Sequence, residues 1–191
     1  MSKPRIPSDI YIIVDVEFGG WNPLKHPLIA IGMCVVADSK IQPLDYTVSF
    51  PFDIEDFEPN TREFWEKHLP VLQNLKENAT TRSKEQVVSD IIAFFNRVID
   101  QFPLKPGSGD SNRKIILASD DVCDFLWLDT LFCTYGEKPS RFYTSRNGSF
   151  GSQRVLELED SAAYPHKFFH DHDPLNDAKN LAEILILSSS S

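Results

Sequence analysis

The stretch Asp9 to Gly20, Asp-Ile-Tyr-Ile-Ile-Val-Asp-Val-Glu-Phe-Gly-Gly, constrains the fold more than any other part of the chain. Ile10 to Val14 are apolar or aromatic without a break, and all but Tyr11 are β-branched. That is the composition of a strand buried on both faces at the centre of a sheet. Asp15 and Glu17 then interrupt it, and the two-residue period of an extended backbone sends both carboxylates to the same side. Two like charges at the end of a buried strand are costly to fold unless a cation sits between them. The simplest candidate is a divalent metal ion.

The 191 residues predict one domain over 1–187 with a Ser-rich tail at 188–191. No run approaches the roughly 18 apolar residues of a membrane span, so no membrane partner is expected. The N-terminal Met-Ser-Lys-Pro-Arg lacks the apolar core of a signal peptide. Cys34, Cys123 and Cys133 are an odd number without metal-ligand spacing, which points to thiols in a reducing, intracellular compartment. The formal net charge of −9 argues against a protein that coats long nucleic acid. It leaves room for an enzyme that grips a few terminal nucleotides through bound metal.

After the first strand, Phe18 to Lys25 reads as a turn, followed by strands over Leu28–Val36 and Tyr46–Phe50 with a turn at Asp38-Ser39-Lys40. Short links between three strands imply an antiparallel meander. A short helix is expected over Thr61–His68, stopped by Pro70. A second, opened by the capping box Ser83-Lys-Glu-Gln86, carries Val87, Val88, Ile91, Ile92, Phe95, Val98, Ile99 and Phe102 at helical spacing. A loop at Lys105–Asn112, a strand at Lys114–Ser119 and a helix at Asp124–Tyr135 follow. One or two short strands are expected within Arg141–Leu158. Asp173-Pro174 then opens a helix to about Leu187. This is an α/β pattern with a mixed sheet, and it resembles the RNase H-like architecture, a central sheet with three antiparallel first strands flanked by helices.

Three D-x-E pairs occur: Asp15/Glu17, Asp53/Glu55 and Asp56/Glu58. The last two lie between Pro51 and Pro59 with no apolar strand leading in, and read as a solvated acidic loop. A second acidic constellation is His172-Asp-Pro-Leu-Asn-Asp-Ala178. Asp177 is followed by Ala178, Leu181, Ala182 and Leu185, so it borders an apolar helix face and needs a partner. His166/Asp171 has the same separation without a clear helix start. In a third stretch Asp120, Asp121 and Asp124 compete. Asp at a helix start is commonly a cap. Asp124, followed by Phe125 and Leu126, is the best-anchored of the three, while Asp120 and Asp121 are expected to reach solvent from the turn.

In order, these stretches resemble the motifs of the DEDDh exonucleases, the family of proofreading exonucleases, RNase T and oligoribonuclease. Val14-Asp-Val-Glu17 matches the first motif and Asp124 the second, with Asp120 where Asn is common. His172-Asp-Pro-Leu-Asn-Asp-Ala178 matches the third, H-x-A-x-x-D-A, except at Pro174. Ile31-Gly32 is similar to the family's second-strand pair, and Phe18-Gly19 stands where Thr-Gly is frequent. The resemblance spans residues 11 to 182.

It implies a 3′–5′ exonuclease that releases nucleoside 5′-monophosphates from single-stranded 3′ ends. Asp15, Glu17, Asp124 and Asp177 would hold two Mg²⁺ or Mn²⁺ ions about 3.5–4 Å apart, and His172 would be the general base. Phe18 and Gly19 would seat the terminal nucleotide, with Trp21 and Trp65 as further stacking candidates and Asp120 near the phosphate. RNA is favoured slightly over DNA, because many small stand-alone members of the family process RNA. The main rival is a catalytically silent RNase H-like module that binds nucleic acid or a partner protein. His170-Asp-His-Asp173 superficially resembles the HD phosphohydrolases, whose all-helical fold does not suit these strands.

Overall fold

The apolar stretch forms β1, Ile10–Phe18, in which Ile10 to Val14 are all essentially inaccessible to solvent. A computed structural model describes residues 9–102, 114–136, 153–155 and 171–190. The other strands are β2 (Leu28–Ala37), β3 (Lys40–Ser49), β4 (Ile115–Ser119) and β5 (Gln153–Val155), in the sheet order β3-β2-β1-β4-β5. β1 therefore lies at the centre. It pairs antiparallel with β2 and parallel with β4; β2 and β3 are antiparallel, and β4 and β5 parallel. Each fully buried Ile or Val contributes roughly 1.5–3 kcal/mol, so the four such positions, with buried Tyr11, anchor β1 firmly against the repulsion of the carboxylates at its end.

The helices are α1 (Pro59–Glu66), α2 (Leu69–Glu77), α3 (Lys84–Gln101), α4 (Val122–Tyr135) and α5 (Pro174–Ser190). Ile10, Ile12, Val14 and Val16 face one core with Ile91 and Phe95 of α3 and Leu128 and Phe132 of α4. Tyr11 and Ile13 face the opposite core with Ala178, Leu181 and Ala182 of α5. Asp15 and Glu17 continue this second row, so the α5 side of the sheet receives both carboxylates. Trp65, Leu72 and Leu75 of α1 and α2 close a smaller cluster over Ile29 and Ala30.

Several boundaries differ from the sequence reading. β3 starts at Lys40 rather than Tyr46, because Asp38 and Ser39 both take left-handed φ (52° and 59°). A two-residue turn of that kind lets pairing begin at once. The first half of β3, Lys40-Ile-Gln-Pro-Leu44, contains Pro43, which an edge strand tolerates. Pro70 does not stop a helix; it occupies the first turn of α2, where no N–H is needed. The capping box of α3 is present as expected, with Ser83 and Gln86 bonded reciprocally. Phe94, absent from the expected apolar face, is fully buried. α5 continues through Ser190 instead of ending near Leu187, so serines expected in a tail are helical. The expected loop at 105–112, His166, His170 and most of 141–158 lie outside the described residues; β5 falls within the last of these spans.

Candidate metal centre at the ends of two parallel strands

β1 and β4 run parallel, so their carboxyl ends share an edge of the sheet, where open α/β sheets commonly bind ligands. Chain from three directions meets there. β1 brings Asp15 and Glu17. Beyond β4 the chain turns into α4, where exposed Asp121 is the cap, its Oδ1 accepting from the Cys123 N–H at 2.8 Å. That leaves Asp124, in the first helical turn and only 3% exposed, to face the strand ends. The Ser119 hydroxyl donates to Asp124 Oδ2 and accepts from the Asp121 N–H at 3.0 Å, so the carboxylate is held from behind.

α5 enters from the opposite face. Asp173 caps it, Oδ1 accepting from the N–H groups of Leu175 (3.1 Å) and Asn176 (3.0 Å). The helix start lies directly on β2 at Gly32, where an added Cβ would stand 2.1 Å from the Pro174 carbonyl carbon. Gly32 is the register partner of Asp15. One turn further Asp177, 3% exposed, accepts from the N–H groups of Asp171 (3.3 Å) and His172 (3.1 Å). These bonds fold the chain back so that His172 takes a left-handed φ of 60°. For a non-glycine residue such a conformation is a cost that clusters at functional sites.

The result is two groups of potential ligand atoms, each within a 4.8 Å span: Asp15, Asp120 and Asp124 in one, Glu17, His172 and Asp177 in the other. Asp15 Oδ2 is buried and accepts no hydrogen bond from any of the described residues. Burial first, then the charge of Glu17 and the other acidic side chains, pushes the Asp15 carboxyl well above its ordinary range. Glu17 is raised in the same way, with Asp177 its main repelling neighbour. Asp124 is raised by burial despite the Ser119 hydrogen bond, which acts the other way. Clustered carboxylate oxygens with an orphaned acceptor fit a hard divalent cation such as Mg²⁺ or Mn²⁺.

The structure thus brings together Asp15, Glu17, Asp124, Asp177 and His172. Asp120, expected to reach solvent from the turn, is half-buried, with its carboxylate beside those of Asp15 and Asp124. The other two D-x-E pairs do not join the site. Asp53 caps a 3-10 turn, Glu55 pairs with Arg62 at 2.9 Å, and Glu58 Oε2 accepts from the Trp21 N–H at 3.2 Å.

Around the carboxylates lies an aromatic wall. His172 Nδ1 is 3.9 Å from Glu17 Oε1, and its ring meets Phe64 edge-on (centroids 4.8 Å apart) and His68 (4.5 Å). Neither Phe64 nor His68 stood out in the sequence; His68 lies just beyond α1, with its Nδ1 2.9 Å from the Phe64 carbonyl oxygen. Phe18 stacks on Trp127 at 5.5 Å, which occupies one face of its ring. Trp21, 5.6 Å away and 60% exposed, offers the open aromatic surface. Trp65 is a core residue whose indole N–H donates to the Phe18 carbonyl at 3.3 Å. Gly19 packs against the protein itself: its N–H donates to Pro27 O and its carbonyl accepts from the Glu58 N–H, both at 2.8 Å. Phe57 and Pro27 fill the space where a side chain would stand.

Comparison with protein-family models and with curated proteins finds no match. Among solved structures, that of cell-death related nuclease 4 matches with a TM-score of 0.50 at 15% identity, covering 95% of this chain. The chain spans 64% of that protein, less than two thirds of its length. This likeness, with the strand order, gives the chain an RNase H-like fold.

Proposed function

We propose that the chain is a metal-dependent 3′–5′ exonuclease of the DEDDh type, acting on single-stranded nucleic acid and releasing nucleoside 5′-monophosphates. The observation that carries this reading is the meeting of two ligand groups at one sheet edge, with His172 in the second of them. The fold neighbour is a nuclease, which agrees with it.

Asp15, Glu17, Asp124 and Asp177 would hold two divalent ions, with Asp120 beside the first and third. When bound, such ions supply Lewis-acid activation of the attacking water and of the leaving 3′ oxygen. His172 would accept the proton of that water, its Nδ1 facing Glu17 Oε1 at 3.9 Å, so that the charge gained is balanced locally. Trp21 would offer a ring to the terminal base, and Phe18, already stacked on Trp127, would act as the edge against which that base stops. RNA is preferred to DNA in this reading on the strength of the family resemblance.

One observation favours a second reading, a silent binding module. Asp120 adds a carboxylate where the family commonly has an amide. The test is hydrolysis of 5′-labelled RNA and DNA strands, single and double, in Mg²⁺, Mn²⁺ or chelator. Stepwise shortening that chelator abolishes supports the exonuclease. Full activity in chelator would sink it, and metal binding without turnover would select the silent module.

A further inference from the structure

We propose that Phe64 and His68, at the corner between α1 and α2, are positioning residues that hold the ring of His172 in one orientation beside Glu17. The inference rests on the exonuclease reading above and on the base it assigns. The three rings form a closed triangle. Their centroids lie 4.8 Å apart for Phe64 and His172, 4.5 Å for His68 and His172, and 4.5 Å for Phe64 and His68. Phe64 and His68 each meet the imidazole edge to face, at interplanar angles of 85° and 71°, an arrangement that ring pairs favour.

The corner is itself tied to the strand that carries the carboxylates. Glu58, the residue that precedes α1, donates its N–H to the Gly19 carbonyl at 2.8 Å. Trp65 donates its indole N–H to the Phe18 carbonyl at 3.3 Å. Both acceptors lie within two residues of Glu17. Trp65 is buried, packs edge-on against Phe64 at 5.5 Å, and comes within 6.0 Å of His172. His68 is held in turn by its Nδ1, 2.9 Å from the Phe64 carbonyl oxygen. A carbonyl only accepts, so Nδ1 carries the proton, and the ring cannot turn over without losing that bond. Close contacts therefore run from the end of β1 through α1 to the imidazole.

His172 reaches the centre from the other direction, in the turn before α5. Its N–H donates to Asp177 Oδ2 at 3.1 Å, which fixes the backbone and leaves two side-chain torsions to be settled. A general base works only within hydrogen-bond reach of its proton, and a misplacement of about 1 Å can cost ~10²-fold in rate. The two flanking rings remove the alternative orientations and leave the His172 side chain 20% exposed. A loop residue thereby takes its precision from a helix.

The test is a double-mutant cycle on kcat, with a single-stranded hexanucleotide in saturating Mg²⁺. His68→Ala should lower kcat and kcat/KM together by at least about tenfold, within the ~10² that such a misplacement costs. α2 loses no side-chain cap in that variant. Phe64→Ala should act in the same way, and His68→Phe, which restores a flat ring, should recover most of the rate. Gln73→Ala, at an exposed position of α2, should change nothing. In the His172→Asn background His68→Ala should have no further effect, since a positioning residue acts only through the base. An unchanged kcat in both alanine variants, or an equal fall in Gln73→Ala, overturns the proposal. So does a His68→Phe no faster than His68→Ala, or a full fall in the His172→Asn background. The χ1 couplings of His172, read by NMR in the metal-free protein, need no turnover. They should report one rotamer in the unaltered protein and an average in His68→Ala; one rotamer in both removes the proposal. If the unaltered protein hydrolyses nothing, the exonuclease reading fails, and these couplings still decide whether the corner holds the ring.

Discussion

Asp15→Asn should make the metal-free protein more stable. In chelator, burial and then mutual repulsion hold the carboxyls of Asp15, Glu17 and Asp124 well above their ordinary range. The unfolded chain releases these protons near pH 3.9 for Asp and 4.3 for Glu, roughly the free values. Above that point the folded state binds more protons than the unfolded one. Stability is therefore fully present at acid pH and lost as pH rises through the folded values, by about 1.4 kcal/mol per pH unit for each such proton. For a chain of this size 1 kcal/mol moves Tm by about 2–4 °C, so one group is worth roughly 3–6 °C per pH unit. Asparagine keeps the shape, removes one of these groups and offers an amide where Oδ2 accepts nothing from the described residues. Melting curves of both proteins in chelator from pH 5 to 8 should show the variant's advantage growing with pH, and the difference cancels the rest of the charge. Saturating Mg²⁺, at about 100 times Kd, should return about 2.7 kcal/mol to the unaltered protein, or roughly 5–11 °C, and much less to the variant. A variant that melts below the parent at pH 7 in chelator, or a difference flat in pH, would refute the view that this charge is held at a cost for the sake of a cation.

Other outcomes follow from the same geometry. Asp124→Asn should cost at least ~100-fold in rate at saturating Mg²⁺, whereas Asp121→Asn should be mild, because the side chain is an exposed cap and Asn caps equally well. Asp120→Asn should raise the Mg²⁺ concentration for half-maximal rate by about tenfold, as loss of a supporting group does; a dead Asp120→Asn beside an active Asp124→Asn would exchange their roles. His172→Asn should lower the rate by about 10²–10⁴ with an unchanged circular dichroism spectrum, since Asn tolerates a left-handed backbone. A 3′-phosphate should block a substrate that is otherwise shortened stepwise, and cuts in a circular strand would indicate an endonuclease instead.

The central strand, the meander and the carboxylate row were legible because burial on both faces and a two-residue period leave few alternatives. Asp177 was legible for a similar reason, bordering an apolar helix face one turn after a cap. The closeness of Asp120 to Asp15 was not legible, because a side chain in a turn has no periodicity to orient it and only the approach of β1 brings the two together. α2 was missed because Pro70 serves equally as a helix breaker and as a first-turn residue. The wall of Phe64 and His68 against His172 joins residues more than a hundred positions apart, which no local pattern announces. Phe18 and Gly19 were expected to seat the terminal nucleotide, but the engagement of both with the protein's own side chains was not foreseeable from a dipeptide.

The contact at Gly32 bears on which ions the centre can accept. With bare backbone seated on bare backbone, 2.1 Å from where a methyl group would begin, the start of α5 cannot settle closer to the sheet, and the cap at Asp173 keeps its first turn formed. Asp177 thus stands at a separation set by main-chain contact and not by any adjustable side chain. Mg²⁺ requires oxygens at about 2.0–2.1 Å in strict octahedral order, and Ca²⁺ takes them at about 2.3–2.6 Å in looser arrays. If the centre holds an ion as proposed, a change of ionic radius would fall on the side-chain torsions of Glu17, His172 and Asp177, while a single glycine in the neighbouring strand would set how closely the helix start can approach.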